Sequence, residues 1–530
     1  MLQDNLLLII SLLFVVSMLT MLSDKVRISY PILLVIAGLG IGFIPGAPSI
    51  TLEPDLVFII FLPPLLYAAA WNTSWNDFWK FRRPIFMLAF GLVIFTATAI
   101  AFTSHAIIPG FSLPMGFLLG AIISPPDAIA ATSVLQQLKV PKRITAILEG
   151  ESLINDASSL IVFRFALAAI FTGQFTLWEA GANFLLVAVM GVVIGLAIAH
   201  VVYLIHRFLP TTPSIDTAIT LISPYLMYIA AEHFHFSGVL AVVAGGLFLS
   251  FRSHEVFSYS TRLQAVSVWE TLVFLLNGVV FIMIGLELPF IIKELGESSI
   301  FDAILYAVII SLVTIVVRIL WVYPGAYLPR IFNKKIRERE PRPTWGSVFI
   351  VGWSGMRGVV SLASALAVPI TMSNGQAFPQ RNLFLFITFV VILFTLVLQG
   401  LSLPWLIRIL KIEAPESEAH HDHAIRLRLA TAVVDLLEKS YTEESASIEA
   451  FIRIKERYQR MADIANSRLQ KDENTQHAGA FLPKYRKMLL EAVQVRRAEL
   501  AKMSRLREFP DELIRKRETE LDLEEARLRK

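Results

Sequence analysis

Apolar runs long enough to cross a lipid bilayer recur along the first four-fifths of this chain of 530 residues. A helix needs about 20 residues to span about 30 Å of hydrocarbon. The first run lacks a basic n-region and a small-residue cleavage site, so we count it as a span. The thirteen predicted spans are 5–22, 29–46, 56–71, 84–105, 114–136, 144–170, 182–206, 215–232, 236–251, 263–291, 301–329, 346–370 and 382–409. The sequence therefore predicts an all-α polytopic membrane protein.

A change in composition divides the chain into two predicted domains. The whole chain is 55% hydrophobic and only 17% charged, and most of its charge lies after the last apolar run. We predict a transmembrane domain over residues 1–411 and a helical, water-exposed C-terminal domain over 412–530, with regulatory function. The chain contains 0 cysteines, which excludes disulfides and thiolate metal sites.

The C-terminal domain shows apolar residues at helical spacing beside charges of both signs. Its predicted helices are 419–440, 444–469, 484–507 and 510–529. Mixed charge argues against a nucleic-acid partner, which would require a one-sided basic face. His420, His421 and His423 could sense cytoplasmic pH, although a solvated run without a role is the simpler interpretation.

Basic residues in the loops predict the orientation in the membrane. Successive loops lie on alternate sides of the membrane and so form two sets. One set is rich in Lys and Arg, whereas the other carries only Lys293 and Arg381. By the positive-inside rule the basic set is cytoplasmic. We therefore expect a multi-pass protein of the cell (inner) membrane with its N-terminus outside and its tail in the cytoplasm. The basic set carries Lys25, Arg27, Lys80, Arg82, Arg83, Lys139, Lys142, Arg143, Arg207, Arg252, Arg262, Arg330, Lys334, Lys335, Arg337, Arg339 and Arg342.

Two predicted spans are interrupted near their middles. The fifth contains Ser124-Pro125-Pro126-Asp127, where adjacent prolines remove two amide donors. The twelfth contains three glycines in the seven residues 352–358, which weaken a helix. Irregular backbone at membrane depth is tolerated where it is buried in protein or lines a cavity. Both breaks are therefore candidates for a central site.

The two breaks occupy equivalent positions if the seventh span is a linker. Spans 1–6 and 8–13 then form two inverted six-helix repeats, with a crossed, unwound fifth helix in each, an arrangement typical of a transporter's midplane site. Asp127 would balance the partial positive charge of the half-helix N-termini, and Arg357 the negative charge of the C-termini. The alternative is that proline and glycine only kink these helices.

The sixth span carries two carboxylates, Glu151 and Asp156, at a depth where charge is costly. Ser152 and Asp156 share a helix face, and with carbonyls freed by the proline break they would form a site of oxygen ligands only. Such a site suits a hard cation such as Na⁺ better than a soft metal. The other charges inside predicted spans, Glu270, Glu287 and Arg318, lie nearer span ends, where snorkelling or a local ion pair explains them.

Asp156 could couple two opposite fluxes. A carboxylate in a low-dielectric setting holds a proton more tightly than one in water, so it could accept a proton or a cation but not both together. Glu151 is expected to form a buried ion pair with Arg357 that fixes the sixth span against the twelfth. Asn155 is expected to hydrogen-bond the free backbone of the unwound segments.

Several segments together resemble the sodium/proton exchanger family of monovalent cation:proton antiporters, of the CPA1 type. They cover the membrane domain in order, and the long tail is similar to that of bacterial members. The segments are Phe61-Leu-Pro-Pro-Leu-Leu-Tyr67, Ser124-Pro-Pro-Asp127, Gly150-Glu-Ser-Leu-Ile-Asn-Asp156, Ala231-Glu-His-Phe-His-Phe-Ser-Gly238 and Gly355-Met-Arg-Gly358.

The resemblance implies a homodimer that exchanges Na⁺, or another alkali cation such as Li⁺ or K⁺, for H⁺. It implies that Asp156 binds the ion and the proton, that Ser152 is a ligand, and that Pro126 donates its main-chain carbonyl. Asp127 would lie at the crossover and contact the ion through water. Asn155, where electrogenic relatives carry a second Asp, favours one cation per proton and thus electroneutral exchange.

Two departures from the family pattern bear on cation selectivity. Members often carry an acidic residue shortly after the Pro-Pro-Leu-Leu segment, whereas here Tyr67 is followed by three alanines. The crossover also has Pro126 where a threonine is more familiar, which removes a hydroxyl. Exchange of K⁺ as well as Na⁺, with broad selectivity, therefore stays open.

Other function classes fit the sequence less well. A cation channel could use the same oxygens, but no pore loop or charged ring is visible. A membrane-embedded enzyme would need a nucleophile and base or metal ligands, and the central cluster contains no His, Cys or Lys. We therefore expect no enzymatic activity and no cofactor. The expected partners are membrane lipid, a second copy of the chain, and a cytoplasmic ligand or protein at the tail.

Overall fold

The computed structural model consists of helices and one isolated β-bridge, between Thr371 and Ala377, in the residues it describes. Because long apolar runs can satisfy their backbone hydrogen bonds in lipid only within the segment, helices are the expected elements. The described residues are 2–26, 29–44, 58–135, 138, 140–173, 177–295, 300–332, 334–339, 342–372, 375–412, 416–470, 476–506 and 511–529.

Two compact units divide the chain, Met1–Glu413 and Ala414–Lys530. Among its described residues, the first contains eighteen helices of at least five residues and one π-helical turn, Met87–Leu92, which continues α5 into α6. These helices are α1 Leu2–Val26, α2 Tyr30–Gly42, α3 Leu62–Asn72, α4 Trp75–Lys80, α5 Arg82–Phe86, α6 Val93–Ile107, α7 Leu113–Ile123, α8 Ala128–Leu135, α9 Lys142–Thr172, α10 Leu177–Phe208, α11 Pro213–His233, α12 Gly238–Val256, α13 Tyr259–Glu294, α14 Ile300–Phe332, α15 Lys334–Arg339, α16 Trp345–Trp353, α17 Val359–Leu366 and α18 Arg381–Ile409.

Each of the thirteen predicted spans coincides with one or more of these helices. Within the described residues, nine helical segments are long and apolar enough to cross a membrane. Three shorter apolar helices lie in the regions of the first three predicted spans, over Ile9–Ser23, Tyr30–Gly42 and Phe58–Asn72. The chain is a multi-pass membrane protein, while the full number of thirteen crossings stays a prediction.

The interrupted spans are two half-helices each. The fifth span is α7 and α8, separated by residues 124–127, and the twelfth is α16 and α17, separated by residues 354–358. Helix α9 packs against both α7 and α8, and α17 packs against α7. The interrupted segments therefore lie together beside α9.

Close helix contacts in this unit depend on glycine. Helices α2 and α13 pack closely against each other, and a Cβ on Gly38 would overlap the backbone of Ile282. A Cβ on Gly285 would likewise overlap the carbonyl of Val35. Small residues allow such backbone approach in membranes, where packing has to replace the hydrophobic effect.

The C-terminal unit is also helical. Its elements are α19 Glu416–Ser440, α20 Thr442–Ser447, α21 Glu449–Gln470, α22 Gln476–Leu506 and α23 Asp511–Arg529. Helix α22 is joined to α23 by ion pairs from Arg497 to Asp522 and Glu525. Hydrogen bonds from Arg529 and Arg497 lower the pKa of Glu525. The side chains of His420 and His421 lie outside the described residues, so the predicted pH sensor stays a prediction.

Candidate functional site: a crossover beside a buried carboxylate

The two interrupted segments contact each other through their backbones. The amide of Asp127 donates to the carbonyl of Met356 at 2.6 Å. Gly358 lies against Asp127 so closely that a Cβ at this position would overlap the carboxylate Oδ2. The absence of a side chain at Gly358 therefore permits the approach, in addition to weakening the helix.

Opposite charges lie at opposite ends of the half-helices. The Oδ1 of Asp127 accepts a hydrogen bond of 2.8 Å from the amide of Ile129, at the N-terminus of α8. The guanidinium of Arg357 donates to the carbonyl of Ile123 at 3.0 Å, at the C-terminus of α7, and also to the carbonyl of Gly355. Each side chain thus satisfies backbone groups that the helix breaks leave free.

Helix α9 presents its polar cluster to this crossover. Asn155 is fully buried and its Nδ2 donates to the carbonyl of Pro126 at 3.3 Å. The hydroxyl of Ser152 accepts from the amide of Ala128 at 3.3 Å. Asn155 and Ser152 therefore both hydrogen-bond the backbone of the interruption between α7 and α8.

Asp156 lies in the wall of a cavity next to these groups. Its residue exposure is 7%, and the cavity has a volume of about 360 Å³. The predicted ion-site residues Pro126, Asp127, Ser152 and Asp156 all line it. The structure thus brings the residues predicted to supply ion-binding oxygens to the wall of one cavity.

Two of the buried oxygens near the crossover have no hydrogen-bond partner among the described residues. They are Oδ2 of Asp127 and Oδ1 of Asn155. Leaving a buried polar atom unpaired costs about 1–3 kcal/mol, so groups of this kind are commonly satisfied by water or a ligand. Of these two residues Asp127 lines the cavity, and with Ser152 and Asp156 it forms an oxygen-rich environment suited to a hard cation.

The predicted ion pair between Glu151 and Arg357 is wrong. Glu151 instead pairs with Arg318 of α14, through Nη1 to Oε1 at 2.5 Å and Nη2 to Oε2 at 2.9 Å. Snorkelling of Arg318, one of the two explanations given for this charge, is wrong because its side chain is 0% exposed, whereas the other explanation, a local ion pair, is confirmed by its contact with Glu151. The bidentate ion pair with Arg318 satisfies both carboxylate oxygens of Glu151 at once. The guanidinium of Arg357 instead donates its hydrogen bonds to backbone carbonyls.

Other charges differ from the sequence prediction or were missed by it. Glu232, at the end of α11, pairs with Arg164 of α9 at 2.6 Å. Glu149, which the sequence analysis did not single out, lines the same cavity as Asp156. It precedes Asp156 by seven residues, or about 10 Å along a helix. That spacing places the two carboxylates on one face of α9 and could have revealed Glu149 from the sequence.

Comparisons with known proteins agree with this architecture. The sequence profile described as sodium/hydrogen exchanger, transmembrane, matches residues 9–409. A protein of Bacillus pumilus named sodium, potassium, lithium and rubidium/H⁺ antiporter is 34% identical over 420 residues, which cover 77% of this chain and 62% of that protein. The Escherichia coli protein YjcE, named as an uncharacterized Na⁺/H⁺ exchanger, is 30% identical over 498 residues, 90% of each chain.

A solved structure shares the fold. The sodium proton antiporter MjNhaP1 of Methanocaldococcus jannaschii superposes with a TM-score of 0.60 at 18% identity, covering 76% of this chain and 98% of that one. Because the family profile covers most of the chain, including both interrupted spans and α9, the assignment does not depend on a single motif. The chain belongs to the sodium/hydrogen exchanger family of cation–proton antiporters.

Proposed function

We propose that this protein exchanges a monovalent alkali cation, most readily Na⁺, for H⁺ across the cell membrane. The observation that carries the proposal is the position of Asp156, a buried carboxylate beside oxygens of the crossover and in the wall of a cavity. Na⁺ and H⁺ would compete for Asp156. The hydroxyl of Ser152 and the carbonyl of Pro126 would complete the cation's ligands, and Asp127 would contact it through water.

Mutual exclusion at Asp156 supplies the coupling. When the carboxylate holds a proton it is neutral and attracts a cation poorly, and when it binds a cation the proton must leave. Alternating exposure to the two sides then exchanges one ion for the other. Asn155 adds no second negative charge, which favours electroneutral exchange.

Broader cation selectivity is the second candidate. The Bacillus pumilus relative is named for exchange of sodium, potassium, lithium and rubidium. In the present chain Ala68 and Ala69 line the cavity, and small apolar side chains leave room for a larger ion. A K⁺/H⁺ exchange activity beside Na⁺/H⁺ exchange is therefore a specific outcome to measure.

The orientation proposed from the loops indicates to which side of the membrane the cavity opens. Asn72 and Glu149 line it and lie toward the ends of α3 and α9 that adjoin the basic loops at Lys80 and Lys142. With those loops in the cytoplasm, the structure corresponds to an inward-facing state. We further propose that the protein is a homodimer and that its C-terminal unit regulates exchange.

Replacement of the proposed ion-binding carboxylate tests this function. In proteoliposomes with a dye that reports internal pH, Asp156→Asn is expected to abolish proton flux driven by gradients of Na⁺, Li⁺ or K⁺. Glu270→Gln provides a matched control, because Glu270 is an exposed acidic residue outside the cavity. It should retain the parent's flux.

Retention of cation-driven proton flux by Asp156→Asn would refute the single-carboxylate mechanism. A parallel measurement of membrane potential separates the classes of function. An electroneutral antiporter changes internal pH without a net current, whereas a cation channel produces a current without obligatory proton movement.

A further inference from the structure

Asn277 of α13 carries a buried side-chain amide without a hydrogen-bond partner among the described residues. The residue is 0% exposed, and neither its Nδ2 nor its Oδ1 has a partner among the described residues. In membrane helices such polar groups usually face the bundle interior or a water-filled space and mark an ion path.

The surroundings of Asn277 show where its amide lies. Phe274 and Phe281, three residues before it and four after it, both contact the ring of Tyr30 with centroid distances of 6.4 Å. Residues at this spacing share one helix face, so Asn277 lies on the face of α13 that packs against Tyr30. Both Tyr30 and Asn277 line the cavity that contains Asp156.

Two further unpaired polar groups line the same cavity. The hydroxyl of Ser361 on α17, in a residue 1% exposed, has no described partner, and the same holds for Oδ2 of Asp127. These groups and Asn277 belong to three separate segments of the chain. A volume of about 360 Å³ accommodates roughly a dozen waters at about 30 Å³ each.

We infer that Asn277, Ser361 and Asp127 form a second station in the cavity that holds a monovalent cation with part of its water shell before it reaches Asp156. The inference depends on the proposed exchange function. One carboxylate oxygen with a neutral amide and a hydroxyl gives hard ligands of modest total charge. Such a set of ligands binds the ion strongly enough for it to enter and weakly enough for it to leave toward Asp156.

The chain offers a matched control for Asn277. Gln399 of α18 is also a 0% exposed amide with both side-chain polar atoms unpartnered, but it does not line the cavity. Asn277→Leu and Gln399→Met both replace an unpaired buried amide by an apolar side chain of similar size. Only the first removes a polar group from the proposed station.

The test measures the KM for Na⁺ in proteoliposomes and the Na⁺-dependent rise in melting temperature of the purified full-length protein in detergent. Asn277→Leu should raise KM about tenfold, the effect of losing one ligand to a charged species, and should reduce the stabilisation by Na⁺. Gln399→Met should keep the parent's values.

Equal KM and equal Na⁺ stabilisation in Asn277→Leu, Gln399→Met and the parent would overturn the second station. If Asn277→Leu does not fold, Asn277→Ala takes its place, since it also removes the amide without adding another polar group, and the same tests apply. Asp156→Asn separates the two proposals. When that variant is inactive but Asn277→Leu is unchanged, the exchange function stands and only the second station is wrong.

Discussion

At the scale of single residues, Glu151 and Asp156 show how neighbouring carboxylates on one helix acquire different environments. Glu151 is held by both terminal nitrogens of Arg318, so its charge is balanced permanently. Asp156 lies in the cavity wall, next to oxygens and without an arginine at hydrogen-bond distance among the described contacts. The first arrangement favours stability, and the second leaves a carboxylate available to a mobile cation or proton.

Removing one partner of the Glu151–Arg318 pair should destabilise the protein strongly. Arg318→Met leaves the carboxylate of Glu151 buried without its counter-ion, at a cost of about 3 kcal/mol or more. The measurement is the free energy of unfolding, or the melting temperature, in detergent. The double variant Glu151→Gln with Arg318→Met removes both charges and should recover much of the loss.

The Arg164–Glu232 pair is the matched control for this prediction. Its side chains are 47% and 29% exposed, so Arg164→Met should cost at most about 1 kcal/mol. If Arg318→Met and Arg164→Met lower the free energy of unfolding equally, burial does not determine how much the Glu151–Arg318 pair contributes to stability.

At the scale of elements, the crossover joins four half-helices through a few short contacts. Asp127 bonds the backbone of Met356 on the opposite segment, and Arg357 bonds the carbonyl of Ile123 at the end of α7. Free backbone groups at membrane depth need partners from protein or from a water-filled cavity, and these contacts supply the protein partners at the two breaks. Asn155 adds a third contact from α9.

Gly358→Ala tests how closely the two segments must approach. The added Cβ would overlap Oδ2 of Asp127, so we expect the crossover to separate, exchange activity to fall at least about tenfold, and stability to fall by about 1–3 kcal/mol. Proton flux in proteoliposomes and thermal melting report the two effects.

Gly40→Ala is the corresponding control within α2, since a Cβ at Gly40 would have no heavy atom within 4 Å. It should be neutral, or stabilising by up to about 1 kcal/mol. If Gly358→Ala behaves like Gly40→Ala, close approach at Asp127 is not required for exchange.

At the scale of the whole molecule, the arrangement in the membrane depends on which loops face the cytoplasm. The absence of cysteine makes this directly measurable, because a single introduced thiol is the sole target for a maleimide. Phe234 is 61% exposed beyond α11, and Tyr259 is 75% exposed at the start of α13. The positive-inside rule places them on opposite sides.

A membrane-impermeant maleimide should label Phe234→Cys in intact cells, whereas Tyr259→Cys should react only after permeabilisation. The cysteine-free parent controls for background labelling. The reverse pattern would invert the proposed orientation, and with it the assignment of the cavity to the cytoplasmic side.

The sequence alone determined the features that depend on local patterns. Span length and hydropathy predicted the helical segments, and Pro125-Pro126 together with the glycines of 352–358 predicted where two of them are interrupted. The polar cluster from Ser152 to Asp156 was visible because charge is costly within an apolar run. Family resemblance then supplied expected roles for the cluster, and the ion-binding roles stay predictions.

Only the tertiary structure decided which distant groups meet. Glu151 and Arg318 are 167 positions apart in the chain, and the sequence analysis paired Glu151 with Arg357 instead. Arg357 is occupied by carbonyls of the broken helices, while Arg318 faces the carboxylate from a neighbouring helix. Likewise, Ser361 and Asn277 share a cavity with Asp156 because three separate helices, α9, α13 and α17, converge there. Helix packing sets such contacts, and hydropathy along a single helix carries no information about its neighbours.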